Sequence, residues 1–590
     1  MKVINLLFGI LLVFLSGSLF SQTFTNVAQQ IGLTCTYNDR FYYIPGGGIG
    51  FADMDNDNDP DCIIATDVNF KVFRNDNGFF TDITSVSGIS FFGDALKSVL
   101  WGDFNNDGLR DVYLTSWYSN NRLYKNTGNN SFVDVTALAG VSMPNFNYQS
   151  TTASWGDIDR DGFLDLYVGN YGNIEGQGNQ YNILFKNNGN GTFTDITNSA
   201  GVADSLAKKP LVITMFDYDA DGWQDIYIAM DKFQRSTLFR NNGNSTFTDV
   251  SLVSGTGISA DAMGLAVTDF NRDSWLDIYV SNGTVGNFLL KNNGNGTFSD
   301  IAGTTGTRVY KECWGNNFLD YDNNNWQDLF VTASSGIDMC DVLLNNNGNN
   351  TFTNIGYPIG IKDSAKSHGS AVCDYNMDGY PDFFVTLSDS NLKAFRNNGG
   401  QNNWIKIKCI GVQSNKDAIG STVTVFSGGA ANKQVILGAN SFLSQDDVVL
   451  IFGLGSVSIV DSINIKWTNG LSESVGTLAV NSLYSVKEGS GVIGIQTISS
   501  LVPENFELYQ NYPNPFNPLT NIRFSIPTQG YVSLKIFDIS GREVAVLFNG
   551  DLKAGTYNVD FNASNLSSSL YLYVLSAGGN TFAKKMILIK

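Results

Sequence analysis

Residues 153–170 read ASWGDIDRDGFLDLYVGN, and this stretch contains a regular spacing of aspartates. Its centre, Asp157 to Asp165, places acidic residues at the first, third, fifth and ninth positions of a nine-residue loop, with Gly162 at the sixth. A short apolar stretch precedes the loop and a β-rich run follows it. The pattern therefore predicts two strands joined by a tight turn.

The same nine-residue pattern recurs seven times, with successive copies 50 to 60 residues apart. Two further elements repeat in step with it: a hairpin of the type Leu-Phe-Arg-Asn-Asn-Gly and a following strand of the type FTDIT. Asn-Gly favours the hairpin turns that need positive φ. Each unit thus holds four predicted strands, and seven such units indicate the blades of an all-β, seven-bladed β-propeller. The copies begin at Asp53, Asp103, Asp157, Asp217, Asp269, Asp320 and Asp374.

The phase of the repeat predicts how the ring closes. After the seventh hairpin, residues 395–400, no FTDIT strand follows. One such strand stands alone near the N-terminus, at Phe24 to Val27. We therefore expect this strand to complete the seventh unit, because closure removes the open sheet edges that a propeller must protect.

The acidic loops have the chemistry of calcium sites. Ca²⁺ takes roughly six to eight oxygen ligands, and clustered carboxylates repel one another unless a cation lies among them. For any single loop, an Asx-turn without metal remains the alternative. An EF-hand is disfavoured because strands flank the loops and the twelfth-position Glu is absent. The prediction is up to seven Ca²⁺, held by Asp53, Asp55, Asp57 and Asp61; Asp103, Asn105, Asp107 and Asp111; Asp157, Asp159, Asp161 and Asp165; Asp217, Asp219, Asp221 and Asp225; Asp269, Asn271, Asp273 and Asp277; Asp320, Asp322, Asn324 and Asp328; and Asp374, Asn376, Asp378 and Asp382.

Three loops depart from the pattern at the sixth position, where glycine is expected. Asn58, Ser274 and Asn325 stand there instead. Asparagine tolerates positive φ, so Asn58 costs the first loop little. The sixth loop also has an amide, Asn324, in place of the fifth-position carboxylate. We expect that loop to be among the weakest calcium sites.

These loops resemble the FG-GAP or VCBS repeats of integrin-type propellers over residues 23–400. The resemblance implies a calcium-binding propeller. It also implies that each loop adds a main-chain carbonyl ligand from its seventh position to the side-chain oxygens of the first, third, fifth and ninth.

Residues 401–490 lack the acidic loops and predict a small β domain. The stretches NNWIKIKCIG, SNKDAIGSTVTVF and VDSINIKWTNG resemble the ASPIC/UnbV domain, which follows propeller repeats in proteins similar to cartilage acidic protein. Asp417 and Gly420 lie in its most recognisable motif. A β-turn is the favoured interpretation of that motif over a functional role.

The last part of the chain predicts a separate module. A linker at residues 491–503 precedes alternating strands over 504–590, which suggest a small Ig-like β-sandwich. The elements YPNPFNP and KKMILIK resemble the C-terminal sorting domain of the type nine secretion system. That resemblance implies a host of the Bacteroidetes–Chlorobi–Ignavibacteria type, export across the outer membrane, and the outer-membrane secretion machinery as a partner.

The N-terminus predicts export. Lys2, the apolar run Leu6 to Leu15 and small residues before a cut near Ser21 describe a signal peptide over residues 1–22. No later segment is long and apolar enough to span a membrane. A formal net charge of −19 disfavours nucleic acid as a partner. We expect a protein that is secreted or attached to the outer cell surface.

The cysteines and the histidine argue against zinc. Six cysteines are scattered without a CxxC pair, and His368 is the only histidine. The favoured interpretation of the cysteines is buried small apolar residues, with one disulfide, Cys313–Cys340, as the alternative.

The function predicted is binding of a glycan or an extracellular protein, as in adhesion, and not catalysis. One histidine leaves no Ser-His-Asp arrangement to assemble, and no nucleophile elbow is present. The alternative that stays open is a polysaccharide lyase built on a calcium propeller, using Lys, Arg or Tyr.

The ligand is expected on the face opposite the calcium loops, where loops vary in length and carry aromatic residues. The residues assigned to the ligand face are Trp117, Tyr118, Tyr148 and Tyr171. The same loops also carry Phe91, Phe92, Phe146, Tyr181, Lys232, Arg308 and Tyr310. Trp101, Trp155 and Trp314 lie just before calcium loops and are assigned to packing.

Overall fold

The computed structural model describes residues 23–590 apart from 38–43, 67–69, 91–94, 144–148, 173–179, 204–207, 336–339, 362–364, 493–494, 500–502, 504, 553 and 564–565. The predicted signal peptide, residues 1–22, and Tyr148 lie outside the described residues. Within them, no helix is long and apolar enough to cross a membrane.

Seven four-stranded antiparallel sheets occupy residues 24–397, and all are built in the same way. Strand one leads into the acidic loop, strand two leaves it, strand three ends in the Asn-Gly hairpin, and a three-residue strand four follows. The strands in order are Ile49–Ala52, Asp61–Ala65, Phe70–Asn75 and Phe80–Asp82 in sheet one; Leu96–Gly102, Asp111–Ser116, Arg122–Asn126 and Phe132–Asp134 in sheet two; Ser150–Gly156, Asp165–Asn170, Ile183–Asn187 and Phe193–Asp195 in sheet three; Pro210–Phe216, Asp225–Met230, Thr237–Asn241 and Phe247–Asp249 in sheet four; Leu265–Thr268, Asp277–Val280, Phe288–Asn292 and Phe298–Asp300 in sheet five; Glu312–Leu319, Asp328–Ser335, Val342–Asn346 and Phe352–Asn354 in sheet six; and Ser367–Cys373, Asp382–Leu387, Lys393–Asn397 and Phe24–Asn26 in sheet seven.

The first strands contact one another in the order of the sheets, and the first strand of sheet seven contacts that of sheet one. Strand Phe24–Asn26 pairs antiparallel with Lys393–Asn397, with Phe24 opposite Asn397. This pairing confirms the prediction that the N-terminal strand completes the last unit. The ring of contacts is therefore closed by the two ends of the repeat region.

Short strand pairs and short helices lie in the connections between the four-stranded sheets. Two-residue strands pair Thr36–Tyr37 with Ser390–Asn391 and Gln234–Arg235 with Ser259–Ala260. Three four-residue helices, Thr136–Ala139, Ser251–Ser254 and Ala302–Thr305, follow the fourth strands of sheets two, four and five, and each is followed by a glycine in the left-handed region.

Large apolar side chains fill the spaces between the sheets. Trp101, Trp155 and Trp314 are buried, as predicted for packing residues. Trp155 meets Tyr113 of sheet two edge-to-face with ring centroids 6.2 Å apart. All six cysteines are free thiols and five of them are buried. The structure therefore has no Cys313–Cys340 disulfide and agrees with the small-apolar interpretation.

Residues 403–492 form two further four-stranded sheets and a small strand pair. In sheet order, the strands are Leu450–Gly455, Asn403–Ile410, Leu483–Lys487 and Gly491–Val492 in the first sheet, Ala430–Val435, Thr422–Ser427, Ser462–Lys466 and Ser472–Val475 in the second, and Ile459–Val460 with Leu478–Ala479 in the pair. Their buried side chains join those of sheets two and three in a single apolar cluster. This region is thus packed against the repeats.

The tail forms two four-stranded sheets whose inward side chains share one core. The strands in sheet order are Ile495–Ser499, Gly555–Asn562, Leu519–Ile526 and Glu507–Leu508, and then Glu543–Leu552, Gly530–Asp538, Ser569–Ala577 and Asn580–Leu588. The predicted linker 491–503 differs from this arrangement, because Ile495–Ser499 pairs with Gly555–Asn562 as an edge strand.

Candidate metal centres and the surface that covers them

Each acidic loop reverses direction through two left-handed residues. The fourth position has φ between 53° and 62° in all seven loops, and the sixth has φ between 71° and 92°. The sharp turn predicted at the sixth position is therefore confirmed, including at Asn58, Ser274 and Asn325, where glycine is absent. The left-handed fourth position was not anticipated, and it is occupied by non-glycine residues throughout.

The first acidic residue of every loop holds the turn closed. Its Oδ2 accepts a hydrogen bond from the backbone N–H of the sixth residue, at 2.6 to 3.3 Å in the seven loops. In the third loop these groups are Asp157 and Gly162. In the second, fifth, sixth and seventh loops Oδ1 of the same residue accepts from the N–H of the fifth residue, whereas Oδ1 of Asp53, Asp157 and Asp217 is buried and accepts no hydrogen bond.

The ninth residue of every loop is a fully buried aspartate at the start of strand two. Asp165 accepts hydrogen bonds from the backbone N–H groups of Ile158, at 3.0 Å, and Asn187, at 2.7 Å. These bonds tie the loop to strand three. A buried carboxylate held by backbone donors is a fixed ligand position, which a metal site requires.

Five of the seven loops bring three carboxylates together, with oxygens within 4.8 Å of one another. The second and seventh loops are not among these trios; both have asparagine at the third position, as does the fifth loop, whose trio uses Asp273 from the fifth position instead. The trios are Asp53, Asp55 and Asp57; Asp157, Asp159 and Asp165; Asp217, Asp219 and Asp225; Asp269, Asp273 and Asp277; and Asp320, Asp322 and Asp328.

Several oxygens in these loops are buried and accept no hydrogen bond. They include Oδ1 of Asp53, Asp157, Asp159 and Asp217. A buried polar atom without a partner is costly, whereas a hard cation among such oxygens satisfies them at once. The residues present therefore fit a calcium ion.

The electrostatics point the same way. Burial and then the charge of Asp161 raise the pKa of Asp157 to about 7. The third strand supplies a partial counter-charge, since Lys186 contacts Asp159 and Asp161. Arg240 does the same in the fourth loop, 2.6 Å from Asp219. In the third loop one lysine cannot balance four acidic side chains, so a divalent cation would relieve the remaining repulsion.

An asparagine at the end of each third strand joins neighbouring sheets, and sequence reasoning missed this role. Its Nδ2 donates to the carbonyl of the second loop residue in the preceding sheet, at 2.7 to 3.0 Å. The series closes, because Asn75 of sheet one donates to Tyr375 of sheet seven. The recurrence of this asparagine was visible but was assigned only to the hairpin. The seven residues are Asn75, Asn126, Asn187, Asn241, Asn292, Asn346 and Asn397.

In five of the seven loops, the fourth residue makes a second link between sheets by donating to a carbonyl of the next loop. Asn106 Nδ2 donates to the carbonyl of Gly162 in the next loop at 2.8 Å. The guanidinium of Arg160 lies 3.8 Å from the ring centroid of Trp223 in the loop after that. The left-handed backbone at this position aims the side chain at the neighbouring loop. Neighbouring loops are therefore joined by this contact at five of the seven junctions.

The residues proposed for ligand binding are only partly exposed. Trp117 and Tyr171 are buried, with 2% and 5% of their surface accessible, so the expectation that they are exposed is wrong. They pack in one apolar cluster with Phe442 and Leu443 from a distant part of the chain. Tyr118 is 44% exposed and Tyr310 is 68% exposed.

Asp417 and Gly420 contact the repeats. Asp417 Oδ1 lies 3.1 Å from Arg110 Nε, and its Oδ2 accepts from the backbone N–H of Asp103 at 2.6 Å. Asp103 is the first acidic residue of the second loop. The motif around Asp417 thus docks residues 402–490 on an acidic loop.

Three families match the chain. FG-GAP-like repeats match residues 53–114, 103–168, 217–280, 269–331 and 320–385. The family described as ASPIC and UnbV matches residues 411–493, and the secretion system C-terminal sorting domain matches residues 510–590. These matches agree with the resemblances derived from the motifs.

Among curated proteins, the chain is similar to cartilage acidic protein 1. It is 26% identical to the Mus musculus protein over 268 residues, 42% of this chain and 41% of that protein. It is 25% identical to the Homo sapiens protein over 270 residues, 42% of this chain and 40% of the other. The chain thus spans less than half the length of the curated relatives it matches.

Two solved structures show weak likeness. The lectin of Aleuria aurantia in complex with alpha-methyl-L-fucoside has a TM-score of 0.30 and 12% identity, over 52% of this chain and 94% of that chain. The exo-beta-1,3-galactanase of Phanerochaete chrysosporium with beta-1,3-galactotriose has a TM-score of 0.25 and 11% identity, over 94% of this chain and 98% of the other. Neither likeness carries an argument about function.

Proposed function

We propose that this protein is an extracellular calcium-binding β-propeller that binds a glycan or a protein. The chain carries FG-GAP-like repeats, an ASPIC and UnbV domain and a secretion sorting domain. The sorting domain marks the chain for export by type nine secretion, to the cell surface or beyond. In this architecture, a seven-bladed propeller comprises residues 23–400, a covering domain comprises 401–490, and an Ig-like sorting domain comprises about 495–590.

The cyclic order of the sheets supports the propeller. First strands contact one another around a complete circuit, and the asparagine bridges follow the same circuit. Strand Phe24–Asn26 joins the two ends of the repeat region in one sheet. An arrangement of four-stranded sheets without a free end is the architecture of a propeller.

The observation that carries the calcium proposal is the set of buried, inward-facing oxygens without a hydrogen-bond donor in the loops. When bound, the ion would neutralise the acidic cluster and fix the turn. The chain's own part is to hold Oδ1 of the first residue inward through the Oδ2 contact with the sixth N–H. The ion is then structural, and it keeps adjacent loops in place through their fourth-position links.

Metal analysis of the purified protein after dialysis against calcium tests this proposal. We expect up to seven bound ions, and Asp159→Asn should remove or weaken one, because it takes a charge from a carboxylate trio. Asp195→Asn is the matched control, since Asp195 is exposed on strand four and lies outside every loop. A protein that binds no calcium would contradict the proposal.

The ligand surface is proposed on the face opposite the acidic loops. Residues 402–490 cover the loop face, which leaves the other end of the sheets for a partner. Strands alternate in direction, so the loops after strands two and four share that end. Tyr118, Phe233 and Tyr310 lie in such loops and are 44%, 57% and 68% exposed. Exposed aromatic rings suit stacking on sugars or anchoring a protein.

A glycan and protein-binding array tests the ligand surface. The triple variant Tyr118→Ala, Phe233→Ala, Tyr310→Ala should lose binding to any hit while retaining calcium. Full binding by that variant would contradict the assignment of the surface. Incubation with acidic polysaccharides separates binding from catalysis, because a lyase releases unsaturated products and a binding protein releases none.

A further inference from the structure

Residues 402–490 lie directly on the acidic loops, and their basic side chains reach the first residue of three of them. Lys408 Nζ is 2.9 Å from Asp53 Oδ2, Lys466 Nζ is 2.9 Å from Asp217 Oδ2, and Lys406 Nζ is 2.8 Å from Asp374 Oδ2. The Lys406 contact is buried on both sides. In three separate loops, a lysine of this domain thus forms an ion pair with Oδ2 of the first acidic residue.

The other four loops are contacted by polar groups of the same region. Asp417 Oδ2 accepts from the N–H of Asp103, and Thr468 Oγ1 donates to Asp157 Oδ2 at 3.2 Å. The contacts to the fifth and sixth loops are from Lys433 Nζ to the carbonyl of Ser274, at 2.9 Å, and from Asn432 Nδ2 to Asn325 Oδ1, at 2.9 Å. Every acidic loop therefore has a partner in this domain.

A segment of the same domain, residues 438–447, occupies the axis of the ring. It touches the first strand of every sheet, and only a segment on the axis can do so. The contacts are Gln445 N–H to the Ile49 carbonyl, Trp101 N–H to Gln445 Oε1, Gly438 against the Trp155 backbone, Thr214 Oγ1 to the Ala439 carbonyl, Ser441 N–H to the Leu265 carbonyl, Asn316 N–H to Ser441 Oγ, and Val372 N–H to Asp446 Oδ1.

The tip of this segment reaches the far end of the channel. Phe442 and Leu443 are buried, and Phe442 meets Trp314 edge-to-face with ring centroids 4.9 Å apart. The same apolar cluster contains Trp117 and Tyr171. The segment therefore fills the channel from the loop face to the opposite face.

In the first and fourth loops, the first carboxylate has a separate oxygen for the lysine and for a cation. In Asp53 and Asp217, Oδ2 accepts from the lysine and from the turn N–H, while Oδ1 is buried and accepts no hydrogen bond. A cation on Oδ1 and a lysine on Oδ2 can bind together. Both partners need the carboxylate in the same orientation, and binding of one favours the other when this shared orientation outweighs the repulsion between the lysine and the cation.

We propose that residues 402–490 are a calcium-dependent plug: the domain docks on metal-loaded loops, and docking holds segment 438–447 in the channel. The inference rests on the proposed calcium binding. It gives the ASPIC and UnbV domain a role within its own chain, which is to recognise the loaded loops and close the axis. Removal of calcium then loosens the domain and the plug together.

Hydrogen exchange on the full-length protein, in calcium and in chelator, tests this inference. The backbone N–H groups of Ser441 and Gln445 report on the plug because they donate to Leu265 and Ile49 in the channel wall. We expect these amides to exchange at least about tenfold faster in chelator, within the usual range of coupling between sites. The change should appear at a chelator concentration that leaves the sheets folded by circular dichroism.

A double variant, Lys408→Ala with Lys466→Ala, tests reciprocity. Coupling requires that loss of the lysines weakens calcium binding in the first and fourth loops by several-fold and speeds plug exchange in calcium. Lys71→Ala is the matched control, because Lys71 pairs with Asp82 on the outer edge of sheet one, away from the domain. The control should leave both quantities unchanged.

The outcomes separate the two proposals. Calcium binding with identical plug exchange in calcium and chelator overturns the plug and leaves calcium binding intact. Absence of bound calcium by metal analysis overturns both. If the double variant fails to fold, the comparison of the unaltered protein in calcium and chelator decides alone.

Discussion

Asn187 shows how one side chain holds two sheets together. Its Nδ2 donates to the carbonyl of Phe104 in the preceding sheet and to that of Leu164 in its own, at 2.8 and 3.0 Å. Both carbonyls lie in buried surroundings. Six other asparagines repeat this contact around the ring, so the unit of stability is the pair of neighbouring sheets.

Asn187→Ala should therefore destabilise the repeat region by roughly 1–3 kcal/mol, because two buried carbonyls lose their donor. Urea denaturation followed by tryptophan fluorescence measures the change. The neighbouring Asn188 is exposed, and Asn188→Ala should change stability by no more than about 0.5 kcal/mol. Equal effects of the two variants would contradict the bridging role.

Gly420 is required where the domain meets the fourth sheet. Its φ is +95°, and a Cβ built there would lie 1.7 Å from Nε2 of buried Gln224. Gly420→Ala should cost roughly 1–3 kcal/mol from backbone strain and overpacking. Thermal melting measures the loss. Gly476→Ala is the control, because no heavy atom lies within 4 Å of that position, and it should be nearly neutral.

The turn and the acidic cluster of each loop could be predicted from the sequence. The side chains of residues 402–490 that contact the loops could not. Nine residues with acids at fixed positions predict the turn and the inward oxygens. The bond from Lys408 to Asp53 joins residues 355 positions apart. In the sequence, Lys406 and Lys408 are alternate residues of an ordinary amphipathic strand, so nothing local shows that they face an acidic loop.

At the scale of elements, the boundary between the second and third regions differs from the prediction. Ile495–Ser499 was assigned to a linker, yet it pairs with Gly555–Asn562 of the tail. A run of five residues gives a weak strand signal by itself, and its partner lies about 60 residues further along the chain. The tail therefore begins near residue 495.

A truncation after Val492 should fold, bind calcium and fail to reach the cell exterior. It keeps every strand of the repeats and of the covering domain, and it removes the sorting domain whole. Fractionation of the native host should find it in the periplasm. Normal secretion of the truncation would refute the sorting role. A cut near Val502 is the comparison, and it should be less soluble because it leaves strand Ile495–Ser499 without its partner.

In the whole molecule, residues 402–490 cover surface that the repeats alone would leave exposed. The sequence predicts that aromatic residues on the face opposite the acidic loops, including Trp117 and Tyr171, are exposed. Phe442 and Leu443 of segment 438–447 pack in one apolar cluster with both rings, which are buried. The repeat pattern describes each sheet and its closure well, but it carries no information about a second region that inserts between the sheets.

We propose that calcium ions in the acidic loops stabilise the ring, and thermal melting of the full chain in calcium and in chelator measures that stabilisation. A ligand at 100 times its dissociation constant adds about 2.7 kcal/mol per site. Several occupied loops should together raise the melting temperature by on the order of 10 °C. Magnesium at the same concentration is the control for ionic strength. A melting curve that is the same in calcium and in chelator, from a protein shown to be free of metal in the chelator, would contradict the account.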